Sequence, residues 1–220
     1  MSNTEYQNKF LLQDDSTLRR LHFVIDIIFA LGILSFALAF IPELPTEVDT
    51  TAGDSLLKEL QEEAGNFIQI ALSYSIRIMY WYKHTQQFKY LRRLNTGQVV
   101  LQFAYLFGIV YLPITFRFTI VFSEDALSYV VHNINLIWFG VFSILAWNQA
   151  TKRNQLVDKD LPSELVRAIR REALLEPIVL GIGIIGALID PVWWMLSFLL
   201  LLIVPMVEKA LKKKKRSGSV

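Results

Sequence analysis

Residues 21–41 read LHFVIDIIFALGILSFALAFI, an apolar run interrupted by a single carboxylate, Asp26. About 20 apolar residues in a helix cross the roughly 30 Å of bilayer hydrocarbon, so this run is long enough to span. Five more runs bounded by charges, Pro or Gly follow it, at Phe67–Gln87, Gly97–Phe118, Ala126–Gln149, Ala173–Ile189 and Val192–Val207. The last two are short and joined only by Asp190 and Pro191. That junction reads as a tight turn at a membrane face, with one long re-entrant hairpin as the rival reading. The pattern predicts an all-α integral membrane protein with six transmembrane helices in one domain over residues 1–220, closed by a basic cytoplasmic tail at 208–220.

Composition agrees with this reading. Of the 220 residues, 53% are apolar or aromatic, and the mean hydropathy is +0.38, so much of the surface has to face lipid. The net charge of +2 gives no reason to expect nucleic acid as a partner. Cysteine is absent, which removes disulfides, thiolate metal sites and cysteine nucleophiles together. The polar stretch Met1–Thr17 precedes a first apolar run too long for a signal core, so that run is expected to be retained as a membrane helix.

Lysine and arginine set the orientation, because they stay on the cytoplasmic side. With six spans and both termini inside, the cytoplasmic segments collect Lys9, Arg19, Arg20, Lys83, Lys89, Arg92, Arg93, Lys152, Arg153, Lys159, Arg167, Arg170, Arg171 and the tail from Lys209 to Arg216. The opposite side receives only Lys58 and Arg117, and carries acids such as Glu43, Glu47, Glu62, Glu124, Asp125 and Asp190. The first external loop places Leu56, Leu57, Leu60 and Ala64 at helical spacing, which predicts a short amphipathic helix leading into the second span. Between the fourth and fifth spans, Pro162–Glu172 reads as a cytoplasmic helix start capped by Ser163.

Within the first span, Ile27, Leu31, Leu34 and Leu38 recur at four, three and four residues and fall within an arc of roughly 60°. Taken alone, such a stripe more often packs on other helices or faces lipid. Arg20 lies on the same line at the cytoplasmic end, whereas Asp26 is rotated about 100° away. A carboxylate inside the membrane is costly and implies a nearby partner. In the second span Ser73, Arg77, Trp81, His84 and Phe88 share one face, which suggests a network joining Asp26 to Trp81 and His84; an interfacial belt is the competing reading for that pair. Arg77 lies deeper and could meet Asp26, backbone carbonyls or the interface. His132, Asn133 and Asn135 in the fourth span read as interhelical hydrogen-bonding groups, Gly181, Gly183 and Gly186 as close-approach points, and Trp193-Trp194 as part of an aromatic belt.

The segment Arg20-Leu21-His22-Phe23-Val24-Ile25-Asp26 resembles the first-helix signature of the transmembrane protein 175 family, R-x-x-x-F-S-D, with Val24 and Ile25 in place of the Phe and Ser. Tyr80-Trp81-Tyr82-Lys83-His84 resembles that family's Y-W-x-x-H ending of the second helix. The resemblance implies a potassium-permeable channel without a T-V-G-Y-G filter, assembled as a homotetramer in which four first helices line a central pore. By offset from the signature aspartate, the family's pore positions fall on Ile27, Leu31 and Leu34, the stripe found from periodicity, and this reverses the packing reading. The implied setting is a prokaryotic cell membrane, with lipid and sister subunits as partners, potassium as permeant ion and no cofactor.

Two other classes compete. An enzyme would have to draw on His22, His84, His132 and the cytoplasmic acids, which show no metal-ligand spacing, nucleophile elbow or phosphate loop, so none is expected. A proton channel or proton-coupled transporter could use Asp26, Arg77, His84 and His132 as a relay, though the chain shows no inverted repeat.

Overall fold

Among the described residues, five long helices carry the fold. The computed structural model describes residues 11–12, 15–40, 64–152, 156–197, 199–200 and 203. Helix α1 is Asp15–Phe40, α2 Ala64–Phe88, α3 Thr96–Val121, α4 Ala126–Thr151 and α5 Ser163–Ile189, and helical backbone resumes as α6 over 191–197. Each of the five is roughly 37 to 41 Å long at 1.5 Å per residue, more than the hydrocarbon thickness. Among the described residues, α3, α4 and α5 are long and apolar enough to cross a membrane. The expected amphipathic helix at Leu56–Leu60, the tail at 208–220 and the side chain of Leu38 lie outside the described residues.

Helix α4 is the centre of the bundle, packed along α3 on one side and α5 on the other, while α1 lies against α3 and touches α2. Its starting turn is fixed by Asp125, whose carboxylate accepts from the Leu127 amide at 2.9 Å. Asn95 caps α3 in the same way through the Gln98 amide at 2.7 Å, and Gln149 of α4 donates to the same Asn95 oxygen at 3.0 Å. One side chain therefore both caps a helix and ties it to its neighbour. Helix α5 runs unbroken from the polar stretch before Ala173 into the apolar span. Its cap differs from the sequence expectation: Pro162 occupies the N-cap position at φ -58° and ψ 132° without a side-chain cap bond, and Ser163 is already helical. Proline's φ suits the start of a helix, so the helix begins one residue earlier than a serine cap would allow.

Close approach is set by glycine. A Cβ on Gly140 of α4 would come within 2.8 Å of Pro177 Cδ in α5, and one on Gly32 of α1 within 2.7 Å of Ile109 Cγ2 in α3. In α5, a Cβ on Gly183 would meet Ser197 Oγ at 2.5 Å and Asn133 Nδ2 at 2.8 Å, and one on Gly186 would meet Trp193 at 3.1 Å. Gly181 departs from expectation, because nothing lies within 4 Å of its would-be Cβ. The bend between α5 and α6 is held by Asp190, whose carboxylate accepts from the Val192 amide at 2.7 Å. Trp194 also departs from the belt reading: it is buried, and its indole N–H donates to Asn133 Oδ1 at 2.9 Å, while Trp193 stays exposed. Two consecutive helical residues point about 100° apart, so only one of the pair can face lipid fully.

These contacts predict that Gly183→Val lowers the melting temperature of the detergent-solubilised protein, a loss of about 1–3 kcal/mol from overpacking, whereas Gly181→Val leaves it nearly unchanged. Intrinsic tryptophan fluorescence during a thermal ramp checks both.

Candidate functional site

Helix α1 has two opposed apolar edges. Leu21, Ile25, Phe29 and Gly32 are buried and recur at four, four and three residues, forming the edge that packs on the bundle. Ile27, Leu31 and Leu34 sit on the other side, and Leu31 and Leu34 are 57% and 53% exposed in the single chain. At 100° per residue the centres of these two stripes lie about 150° apart, so burying one leaves the other outward. Arg20, at the end of the outward edge, is exposed.

Asp26 occupies the flank between the two edges, and the Trp81 indole of α2 donates to its Oδ1 at 3.1 Å. His22, one turn earlier on α1, approaches the other carboxylate oxygen at 3.9 Å and stacks on Phe88 with ring centroids 4.8 Å apart. His84 does not bond to Asp26 as the sequence suggested. It is buried and turned toward α3, where its Nε2 lies 2.6 Å from Gln102 Oε1 and its ring packs on Tyr105 at 5.0 Å. The cause is local geometry: residues three apart on a helix point about 60° apart, so Trp81 reaches α1 while His84 reaches the next helix over. Phe88 contacts both histidine rings, so the inner edge of α1 and the polar face of α2 form one packed layer.

Deeper in the bundle, buried Arg77 donates to the Ser73 carbonyl at 3.1 Å and lies over the Phe116 ring at 5.8 Å. Of the three fates open to it in the sequence, the structure places it on a backbone carbonyl. His132 meets Thr115 Oγ1 at 3.1 Å, Asn133 donates to the Leu180 carbonyl at 3.0 Å, and Asn135 donates to the Gly108 carbonyl at 3.3 Å. These bonds join α4 to α3 and α5.

One buried ion pair escaped the sequence reading altogether. Glu176 lies inside the fifth apolar run, is buried, and forms an ion pair with Lys83 of α2. The signal was present as a lone carboxylate in a predicted span, which requires a partner.

The first three helices also carry a likeness to a known family. Residues 20–113, from the arginine that opens the α1 signature to the proline inside α3, match the family model of the endosomal/lysosomal potassium channel TMEM175. That stretch of the chain is similar to the TMEM175 family. Its fold is similar to that of a variant of the potassium channel MtTMEM175 crystallised in complex with a nanobody–MBP fusion protein, at a TM-score of 0.56 and 22% identity, over 89% of this chain and 93% of that one. At that identity the likeness speaks for the fold alone. No curated protein matches the sequence. The TMEM175 match takes in the whole of the α1–α2 layer, including both edges of α1, Asp26, Trp81 and His84.

Removing one partner of a buried pair strands the other charge, a loss of about 3–5 kcal/mol. Lys83→Met should therefore destabilise the protein strongly, while Lys83→Met with Glu176→Gln should recover at least half of the loss. Thermal unfolding of the two variants beside the parent measures this.

Proposed function

We propose that the chain is the subunit of a potassium-permeable, modestly potassium-selective cation channel in a prokaryotic cell membrane. In this reading it spans the bilayer six times with both ends cytoplasmic and assembles as a homotetramer. Four copies of α1 surround the axis, and Ile27, Leu31 and Leu34, continued by Leu38, form stacked apolar rings. The observation that carries the reading is the outward edge of α1: it lies opposite the edge that anchors the helix, and it belongs to the segment that matches a family described as potassium channels.

The mechanism follows from hydration. A narrow apolar ring offers no ligands to replace water, so an ion pays part of its dehydration cost to pass, and an empty ring can dewet and close. Potassium holds its water less tightly than sodium does, so the same constriction favours potassium. Selectivity of this origin is weaker than that of a carbonyl filter, because nothing compensates for the water lost. Acidic residues such as Asp190 would raise the local cation concentration at the outer mouth, an effect that salt screens. Arg20, exposed at the inner end, has room to turn away from the axis.

The proton-relay alternative gains less from the geometry. Asp26 is bonded to Trp81, His84 to Gln102 and His132 to Thr115, each toward a different neighbour rather than along one path.

Widening the rings should lower the barrier, and each 1.4 kcal/mol removed multiplies flux about tenfold. Leu31→Ala and Leu34→Ser, reconstituted in liposomes under a potassium gradient alone, are expected to raise basal flux several-fold and to reduce the potassium/sodium permeability ratio. Unchanged flux and an unchanged ratio in both variants, or a strictly monomeric protein in lipid nanodiscs, would overturn the pore assignment.

A further inference from the structure

Beside the Lys83–Glu176 pair lies a cavity of about 210 Å³ enclosed by the end of α2, Tyr105 of α3, Ser143 of α4 and the first turns of α5. It sits at the basic end of the bundle, away from the outward edge of α1. At about 30 Å³ per water, its volume suits some seven waters or a small organic molecule.

Three features point to the charge of its occupant. Lys83 is already neutralised by Glu176. Glu172, at the exposed rim of the same cavity, has no ion-pair partner among the described residues and lies close enough to Glu176 to repel it. The lining therefore holds two carboxylates against one ammonium and has room for one further positive charge. An anion would meet Glu172 at the entrance with no free cation inside to receive it.

The walls narrow the choice among cations. Tyr80, Tyr82, Tyr90 and Tyr105 all line the cavity, and tyrosine rings attract organic cations more readily than strongly hydrated metal ions. Tyr80 supplies the second, independent observation. It is 2% exposed, and its hydroxyl has no hydrogen-bond partner among the described residues, although a buried hydroxyl normally has one. Tyr80 lines the cavity together with Glu176, whose charge acts on its hydroxyl.

We propose that this cavity binds a small alkylammonium ion, with its N–H groups donating to Glu172 and to the Tyr80 hydroxyl oxygen and its alkyl part lying among the tyrosine rings. The site does not depend on the pore reading, because binding is measured without ion flux.

The test is calorimetric titration and thermal unfolding of the full chain in detergent with n-butylammonium chloride, against n-butanol, sodium butyrate and potassium chloride at matched ionic strength. Butylammonium should bind and raise Tm by about 3 °C near saturation, while the three controls should not. Glu172→Gln, at an exposed position, should weaken binding at least tenfold. Tyr80→Phe, which keeps the ring, should weaken it about threefold without lowering the Tm of the ligand-free protein. An equal shift with butanol or with potassium chloride overturns the proposal, as does undiminished binding in Glu172→Gln.

Discussion

In hydrocarbon an apolar helix gains little by exchanging lipid for another apolar helix, so association has to come from close packing and from polar groups that bond across the gap. Asn133 meets that requirement at the centre of this bundle. Its amide donates to the Leu180 carbonyl of α5 and its oxygen accepts from the Trp194 indole of α6, so one α4 side chain fixes three helices. Gly183 brings the same helices close enough for both bonds to form. On the other face of α4, the His132–Thr115 and Asn135–Gly108 contacts do the same for α3. Among the described residues, helix α1 reaches this core chiefly through α3, with a slighter contact to α2, so its position is inherited from the packing of α3 on α4.

The basic end of the bundle is fastened differently, by backbone. Leu11–Leu12, just ahead of α1, pairs antiparallel with Leu94–Asn95, just ahead of α3. The amides of Arg92 and Arg93 both donate to the Leu156 carbonyl, and Leu91 bridges to Val157. The start of α1, the α2–α3 connection and the α4–α5 connection are thus joined in one hydrogen-bonded layer. Water can compete for such groups at a membrane surface but not within hydrocarbon, so the backbone pairings lie in the connections and the helix contacts are left to side chains.

What the sequence disclosed and what it withheld divide along the same physical line. The outward stripe of α1 and the approximate extents of helices α2 to α4 were legible because a helix repeats every 3.6 residues whatever surrounds it, whereas the inner edge of α1 and the unbroken run of α5 from Ser163 emerge only in the fold. The depth match between Asp26 and Trp81 was legible too, since both positions are measured along the chain. Which neighbour a side chain meets was not. His84 meets Gln102 because its side of α2 is turned to α3 while that of Trp81 is turned to α1, and Trp194 turned inward because Asn133 offered an acceptor there. Neither fact has a local signature. Glu176 is the intermediate case: its place in an apolar run demanded a cation, but Lys83 is 93 residues away and only the tertiary fold brings it within reach.

The outward edge of α1 is left open by the contacts that fix the rest of the helix on its inner edge and one flank. Its inner edge packs tightly enough that Ile25 and Phe29 are almost wholly buried, and Gly32 admits Ile109 at a distance no larger residue would allow. Its flank is pinned at Asp26 by Trp81, which resists rotation about the helix axis, since a turn of one residue's worth would break that bond and expose Ile25. A helix held on one edge and one flank presents its remaining edge at a fixed angle. In the proposed ring of identical subunits, that angle would decide whether leucine or a neighbouring side chain faces the axis. The carboxylate placed off the stripe acts on the apolar edge without belonging to it, because its bond to Trp81 sets the rotation at which that edge is offered.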